Sequence, residues 1–220
     1  MAADEKFTTL NRDLHKYLLD HGHNRDPLLA ELATETAKLG RIGGMQIAAE
    51  QGALMAILVR AIGARNAIEV GTFTGYSAIC VARALPPDGH LLCCDVSGEW
   101  TAIARRYWER AGLTNKITLK LAPGVETLGA LPPGTTFDFG FIDADKVSYR
   151  HYYEEILKRL RPNGLLLIDN VLWSGSVIDG SNQTDDTKAI RALNDFIAQD
   201  ERVDAVMIPV SDGLTIVRKK

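Results

Sequence analysis

The tightest constraint on the fold lies near the end of the chain. Two apolar, β-branched runs, 203–209 and 214–218, are joined through Ser211-Asp212-Gly213, a link too short for any crossover, so the last strand must run antiparallel to its predecessor. Upstream the spacing is different. Short apolar runs at 67–70, 90–95, 117–121, 137–142 and 165–168 alternate with helix-length segments at 77–85, 98–111, 125–131 and 149–160. Such intervals leave room for crossover helices between parallel strands, and continuous apolar runs suit strands covered on both faces. The pattern is that of a doubly wound, mostly parallel α/β sheet with an antiparallel last strand.

The first quarter of the chain reads as helix. Leu10, Leu14, Tyr17 and Leu18 have helical spacing, Asp26-Pro27 is a cap followed by a first-turn proline, and a further helix is expected from Ala48 to Ile62, closed by Gly63. With 46% hydrophobic residues, 220 positions and no Gly/Ser-rich linker, one domain is expected over 1–220, with 1–63 helical and 64–220 the sheet core. A net charge of −3 supplies no broad positive field for a phosphate backbone, which argues against nucleic acid as a partner. The longest apolar stretch, 53–59, stops at Arg60, and the first ten residues lack a basic region followed by an apolar run. A soluble, cytoplasmic protein with no membrane partner is expected. Cys80, Cys93 and Cys94 form neither a disulfide framework nor a metal clip and read as packing residues.

An open parallel sheet binds its ligand beyond the carboxyl ends of its strands. The first such end reads Glu69-Val-Gly71-Thr72-Phe-Thr-Gly75-Tyr-Ser77. Its glycines permit a tight turn and close backbone approach, and the helix start that follows offers free N–H groups. It lacks the middle glycine of the dinucleotide fingerprint. Asp95, at the next strand end, can accept ribose hydroxyls, which suggests an adenosine-containing cofactor. Glu69 would repel a pyrophosphate but tolerate an ammonium or sulfonium group, so a positively charged cofactor fits better.

Phe-Ile-Asp143-Ala-Asp145-Lys146 ends the fourth run, and Leu-Ile-Asp169-Asn170 the fifth. If those strands are neighbours, Asp143, Asp169 and Asn170 converge on one point. Three oxygen donors without His or Cys favour a hard cation, Mg²⁺ before Mn²⁺ or Ca²⁺, and disfavour zinc. Either aspartate alone would ordinarily be a cap; the pair, with Asn170 and Lys146, points to a site. Lys146 over the same mouth could serve as a base. Trp173 could wall an aromatic slot, whereas Trp100, Trp108 and His151 read as packing or surface residues, and the His21/His23 pair as a solvated turn. An Mg²⁺-dependent phosphoryl-transfer or receiver-like protein would also place acids and a lysine at strand ends, but would not need Glu69 and Asp95. A non-catalytic binder of the same cofactor would have no reason to carry both acidic segments.

In order and spacing, EVGTFTGYSA, Asp95, FIDADK and IDNVLWSGSV resemble the cation-dependent, S-adenosylmethionine-using O-methyltransferases of the caffeoyl-CoA and catechol type. The likeness covers nearly the whole chain, including MQIAAEQGALM in the helical start. It implies a seven-stranded sheet and a homodimer acting on a small aromatic diol. It also implies that Ile47, Glu69, Gly71, Thr72, Ser77, Asp95, Gly124 and Asp145 hold S-adenosylmethionine, with Asp143 beside them. By the same resemblance Asp143, Asp169 and Asn170 ligate the divalent cation, Lys146 is the base with Asp143 as its catalytic neighbour, and Trp173 and Ser174 face substrate. Ala122-Pro123-Gly124 stands where relatives often have Gly-Pro-Ala, and Ser174 where plant caffeoyl-CoA enzymes use an asparagine.

Overall fold

A computed structural model describes residues 8–22 and 26–220; His23, one half of the HxH pair, lies outside them. Among the described residues three helices precede the sheet: α1 (Arg12–Gly22), α2 (Pro27–Ala37) and α3 (Ala49–Ala61), with a short 3₁₀ segment, Gly40–Met45, between the last two. Asp26 caps α2 as its sequence foretells, Oδ1 accepting the N–H groups of Leu28 (2.9 Å) and Leu29 (3.2 Å). By length and composition alone, 40–61 is apolar enough to cross a membrane, with a mean hydropathy of 1.4. It is broken at 46–48, however, and α3 turns Gln51, Gly52, Met55 and Val59 into the protein.

The sheet contains β1 (Asn66–Val70), β2 (His90–Asp95), β3 (Ile117–Leu121), β4 (Phe137–Ile142), β5 (Leu160–Asp169), β6 (Val203–Ile208) and β7 (Leu214–Lys219). Its order is β3-β2-β1-β4-β5-β7-β6, with β7 antiparallel to both of its neighbours. Helices α4 (Tyr76–Ala84), α5 (Gly98–Arg110), α6 (Gly124–Gly129) and α7 (Tyr149–Arg159) make the crossovers.

Alternation along the strands divides the core between two faces. Ala67, Leu91, Cys93, Phe139, Phe141 and Leu167 face α2 to α5, whereas Ile68, Leu92, Cys94, Ile142, Leu166 and Ile168 face α6, α7 and α8 (Asp185–Ala198). All three cysteines are free and buried, in keeping with packing. Each fully buried Phe or Leu contributes roughly 1.5–3 kcal/mol.

Two elements depart from the sequence pattern. Helix α8 was not anticipated, because the polar tract before it reads as loop. Its signals are Thr184, whose Oγ1 caps Thr187 N (3.4 Å), and buried Thr187, Ile190, Leu193 and Ile197 at helical spacing. Strand β5 begins at Leu160, five residues before the expected run. Pro162 and Asn163 are accommodated by a register shift against β4 between Phe137 and Phe139, and Arg161 Nε fastens the extension to Asp138 Oδ1 at 2.6 Å.

Candidate active site

The sheet order reverses direction between β1 and β4, and that switch point is where an open α/β sheet forms its crevice. Val70 pairs with Ile142 and Ile142 with Ile168, so residues 71, 143 and 169 leave three neighbouring strands side by side. The adjacency required for Asp143 and Asp169 to converge is therefore met. Gly71 has φ +93°, and a Cβ there would lie 1.8 Å from the Asp143 carbonyl oxygen. At Gly75 (φ +85°) a Cβ would meet Ala104 and Trp108 at 2.7 Å. These two glycines thus serve packing within the protein, beyond any approach of a ligand.

Above these strand ends lies a cavity of about 930 Å³. Ile47, Gly71, Thr72, Ser77, Asp95 and Gly124 line one part. Asp143, Asp145, Lys146, Asp169, Asn170, Trp173 and Ser174 line the other. Asp95 Oδ2 accepts Thr72 N (2.9 Å) and Phe73 N (2.8 Å), and Oδ1 accepts Ser97 N (2.8 Å). With three of a carboxylate's roughly four acceptor positions taken, one remains for a ribose hydroxyl rather than the two expected. The carboxylate also ties the glycine turn to β2. Thr36 of α2 holds the same turn from behind, its Oγ1 donating to Thr74 Oγ1 at 2.9 Å.

Glu69 lies beneath the turn, fully buried, and its Oε2 has no hydrogen-bond partner. Burial pushes its carboxyl up to about 8, the Ser77 hydroxyl opposing the shift and the charge on Asp143 adding to it. Glu69 does not itself line the cavity, but a buried acid with an orphaned oxygen under the turn adds negative potential that favours a cationic group on a ligand above it. Phe73 and Trp100 meet edge to face, centroids 5.2 Å apart, and both line the cavity near Asp95. Together they offer flat apolar surface for a base ring, so the residues present fit an adenosine-bearing cation.

At the other end Lys146 Nζ donates to Asp143 Oδ1 (3.1 Å), Asn170 Oδ1 (2.6 Å) and the Tyr149 hydroxyl (2.6 Å). Its side chain is only 9% exposed. Those three bonds use all the hydrogens of an ammonium group. Burial raises the Asp143 carboxyl above its ordinary range, while the Lys146 charge opposes the rise. Asp169 is pushed up to about 7, first by burial and then by the charge on Asp143. The buried Asp169 and the partly buried Asp143, whose charges repel each other, form with an amide oxygen a donor set fitted to a hard cation. Among the described residues no group of three or more His, Cys, Asp or Glu side chains is gathered for a metal; the donors here are two acids and an amide.

The sequence reading missed several residues that line or support the cavity. Asp212, in the short turn before β7, accepts Ser174 N at Oδ1 (2.6 Å) and Asn170 Nδ2 at Oδ2 (3.3 Å). It bridges the loop after β5 to the terminal hairpin. Tyr149 secures Lys146, and Tyr152 donates its hydroxyl to Asp145 Oδ1 at 2.5 Å; both arise from helix α7, where tyrosines look like core. Trp100, read as packing, lines the cavity, whereas Trp108 is buried and His151 exposed. Left-handed backbone at Phe73, Asn170, Trp173, Ser174 and Ser211 is concentrated around the cavity, which is where stored strain tends to serve a site.

A seven-stranded sheet with this order and this cleft has the Rossmann-like methyltransferase fold. Within that class the chain belongs to the O-methyltransferase family, whose profile matches residues 20–220. It is 39% identical over 213 residues to "Probable caffeoyl-CoA O-methyltransferase 1" of Dictyostelium discoideum, covering 95% of this chain and 93% of that one. It is 37% identical over 209 residues to "Catechol O-methyltransferase domain-containing protein 1" of Mus musculus, covering 94% and 79%. The crystal structure of an O-methyltransferase from Bacillus cereus in complex with SAH superposes with a TM-score of 0.86 at 31% identity, covering 94% and 97%.

Proposed function

We propose that this O-methyltransferase moves a methyl group from S-adenosylmethionine to one hydroxyl of a small aromatic vicinal diol, assisted by a divalent cation, Mg²⁺ first among them. The observation that carries the reading is Lys146 Nζ, held among Asp143, Asn170 and Tyr149 in the same cavity as Asp95 and the glycine turn. Family membership and the SAH named with the Bacillus cereus relative support the donor.

In this reading Glu69 and Asp95 orient the donor, and Phe73 and Trp100 hold its base. S-adenosylmethionine would supply a methyl on a positively charged sulfur, which would keep the carbon–sulfur electron pair when the methyl passes to the acceptor oxygen. Asp143, Asp169 and Asn170 would hold the cation, which places positive charge beside the acceptor oxygens and favours loss of a proton. Lys146 in its neutral amine form would receive that proton at Nζ, becoming the ammonium that Asp143, Asn170 and Tyr149 enclose, and Tyr149 keeps the side chain aimed. Trp173, whose ring centre is 5.5 Å from Nζ, walls the acceptor ring. The residues' main contribution is to hold oxygen and methyl carbon at near-attack distance. Methylation of catechol is expected to stop in excess EDTA and to resume on adding Mg²⁺. Full turnover in EDTA would remove the cation from the proposal.

The chain is also proposed to pair with a second copy. Helix α1 buries none of its residues, and Leu10, Leu14 and Tyr17 stand 41–63% exposed, while Ile42, Met45 and Ile57 are likewise uncovered. Sedimentation equilibrium at micromolar concentration should give twice the chain mass, and Tyr17→Glu should shift the protein toward monomer. A monomeric wild-type protein would refute the pairing.

A further inference from the structure

The turn between β6 and β7 is pressed against the loop that leaves β5. Val171 N donates to Gly213 O (3.2 Å) and Leu172 N to Asp212 O (3.0 Å). Gly213 has φ +83°, and a Cβ there would lie 2.9 Å from Leu172 N, so glycine is what lets the two segments approach this closely. That seating fixes the Asp212 carboxylate on both of its oxygens. Oδ1 accepts Ser174 N at 2.6 Å, and Oδ2 accepts Asn170 Nδ2 at 3.3 Å. Asn170 in turn shows its Oδ1 to Lys146 Nζ at 2.6 Å.

An asparagine amide has a donor end and an acceptor end of nearly the same shape, and its neighbours decide which way it faces. A carboxylate only accepts, so Asp212 holds the NH₂ end and leaves the oxygen directed into the cavity. Lys146 supports the same sense while it donates, but an amine with a free lone pair could equally accept from the amide. Of these two partners, Asp212 alone requires one orientation through both states of the lysine. An amide at 212 would reverse the requirement: its oxygen would stay with Ser174 N, and its NH₂ would draw the Asn170 oxygen out of the cavity. The acid also has an unfavourable side, since its charge adds to the rise of the Asp143 carboxyl. Anchoring the turn to Ser174 N would be served as well by a neutral acceptor, without that repulsion.

We infer that Asp212 is a positioning residue, which locks the Asn170 amide with Oδ1 turned to the Lys146 end of the cavity, so that this oxygen is presented to a cation before one arrives. The inference rests on the proposed function for its cation and adds the residue that orients one of the three donors.

The test titrates Mn²⁺ alone into the full-length protein saturated with S-adenosylhomocysteine, free Mn²⁺ being read by electron paramagnetic resonance, and records thermal unfolding without metal. Groups that support metal ligands typically contribute about 10–100-fold to affinity, so Asp212→Asn should weaken Mn²⁺ binding about tenfold or more. Asp212→Ala, which leaves Asn170 unopposed, should weaken it less. Thermal stability should follow the other order, since alanine also loses the Ser174 bond. Loss of the charge alone would affect the two variants equally. Adding Asn170→Asp to Asp212→Asn should return Mn²⁺ affinity to within about threefold of wild type, because a carboxylate at 170 can accept from the new amide and still offer an oxygen. Mn²⁺ affinity untouched by Asp212→Asn, no recovery in the double variant, or losses that run in the order of thermal stability overturn the inference while leaving the cation in place. A wild-type protein that binds no Mn²⁺ refutes the cation of the proposed function, and this inference with it.

Discussion

Replacing Asp169 with alanine is expected to lower methylation of a vicinal diol by at least a hundredfold while S-adenosylhomocysteine still binds within a few-fold of the wild-type affinity. The separation follows from position. Asp169 ends β5 at the end of the cavity that holds Lys146, whereas the turn after β1 and Asp95 lie across the switch point. The side chain is almost fully buried and its carboxyl is pushed up to about 7 by burial and by the charge on Asp143. Removing it relieves a desolvated charge, so the fold should not suffer, and thermal unfolding should occur at or above the wild-type temperature. What is lost is one of two anionic donors for a cation and part of the field around Lys146. Electrostatic groups of this kind are typically worth a factor of about 10²–10³ in turnover. Residual activity in Asp169→Ala should also be insensitive to added Mg²⁺. Turnover near wild type, still stimulated by Mg²⁺, would take Asp169 out of the site.

What the sequence discloses about this site depends on whether a residue's role is set by its own strand or by a partner distant in the chain. Asp143 and Asp169 are legible because β-branched runs mark the strand ends and parallel pairing brings those ends abreast. Asp212 is not, since its partners Asn170 and Ser174 lie 42 and 38 residues away and the turn's brevity already accounts for its composition. Trp100 has the same difficulty: helix periodicity says that it is aromatic on a helix, and only the packing of α5 beside Phe73 carries it to the cavity. Lys146 was legible by location, but the three acceptors around its nitrogen were not, because Tyr149 reads as a core residue of α7. For the fold, the parallel strands and the final hairpin follow from spacing. Helix α8 escaped because a polar loop conceals its start, and the early part of β5 because Pro162 and Asn163 ordinarily mark a break.

Glu69→Gln is expected to stabilise the cofactor-free protein at alkaline pH and to weaken S-adenosylmethionine binding at least tenfold. The folded carboxyl titrates at about 8, against an ordinary value of 4.5. Between those values the folded chain keeps a proton that the unfolded chain has released, so the contribution to stability is full below about pH 4.5 and declines as the pH rises toward 8. At neutral pH the loss is on the order of 3 kcal/mol. Glutamine cannot ionise, and it removes this slope. At pH 8 the loss reaches about 4 kcal/mol, so at roughly 2–4 °C per kcal/mol for a chain of this size the variant should melt about 8–16 °C above wild type at pH 8, with the gap closing toward pH 5. The orphaned Oε2 has the opposite consequence for the ligand: in the wild type a cationic group can meet a carboxylate in a dry setting, whereas in the variant it meets a neutral amide. Melting curves across pH 5–9, with and without S-adenosylmethionine, read both effects. Parallel curves for the two proteins would show that Glu69 carries no raised carboxyl, and equal ligand-induced shifts would show that its oxygen does not face the donor.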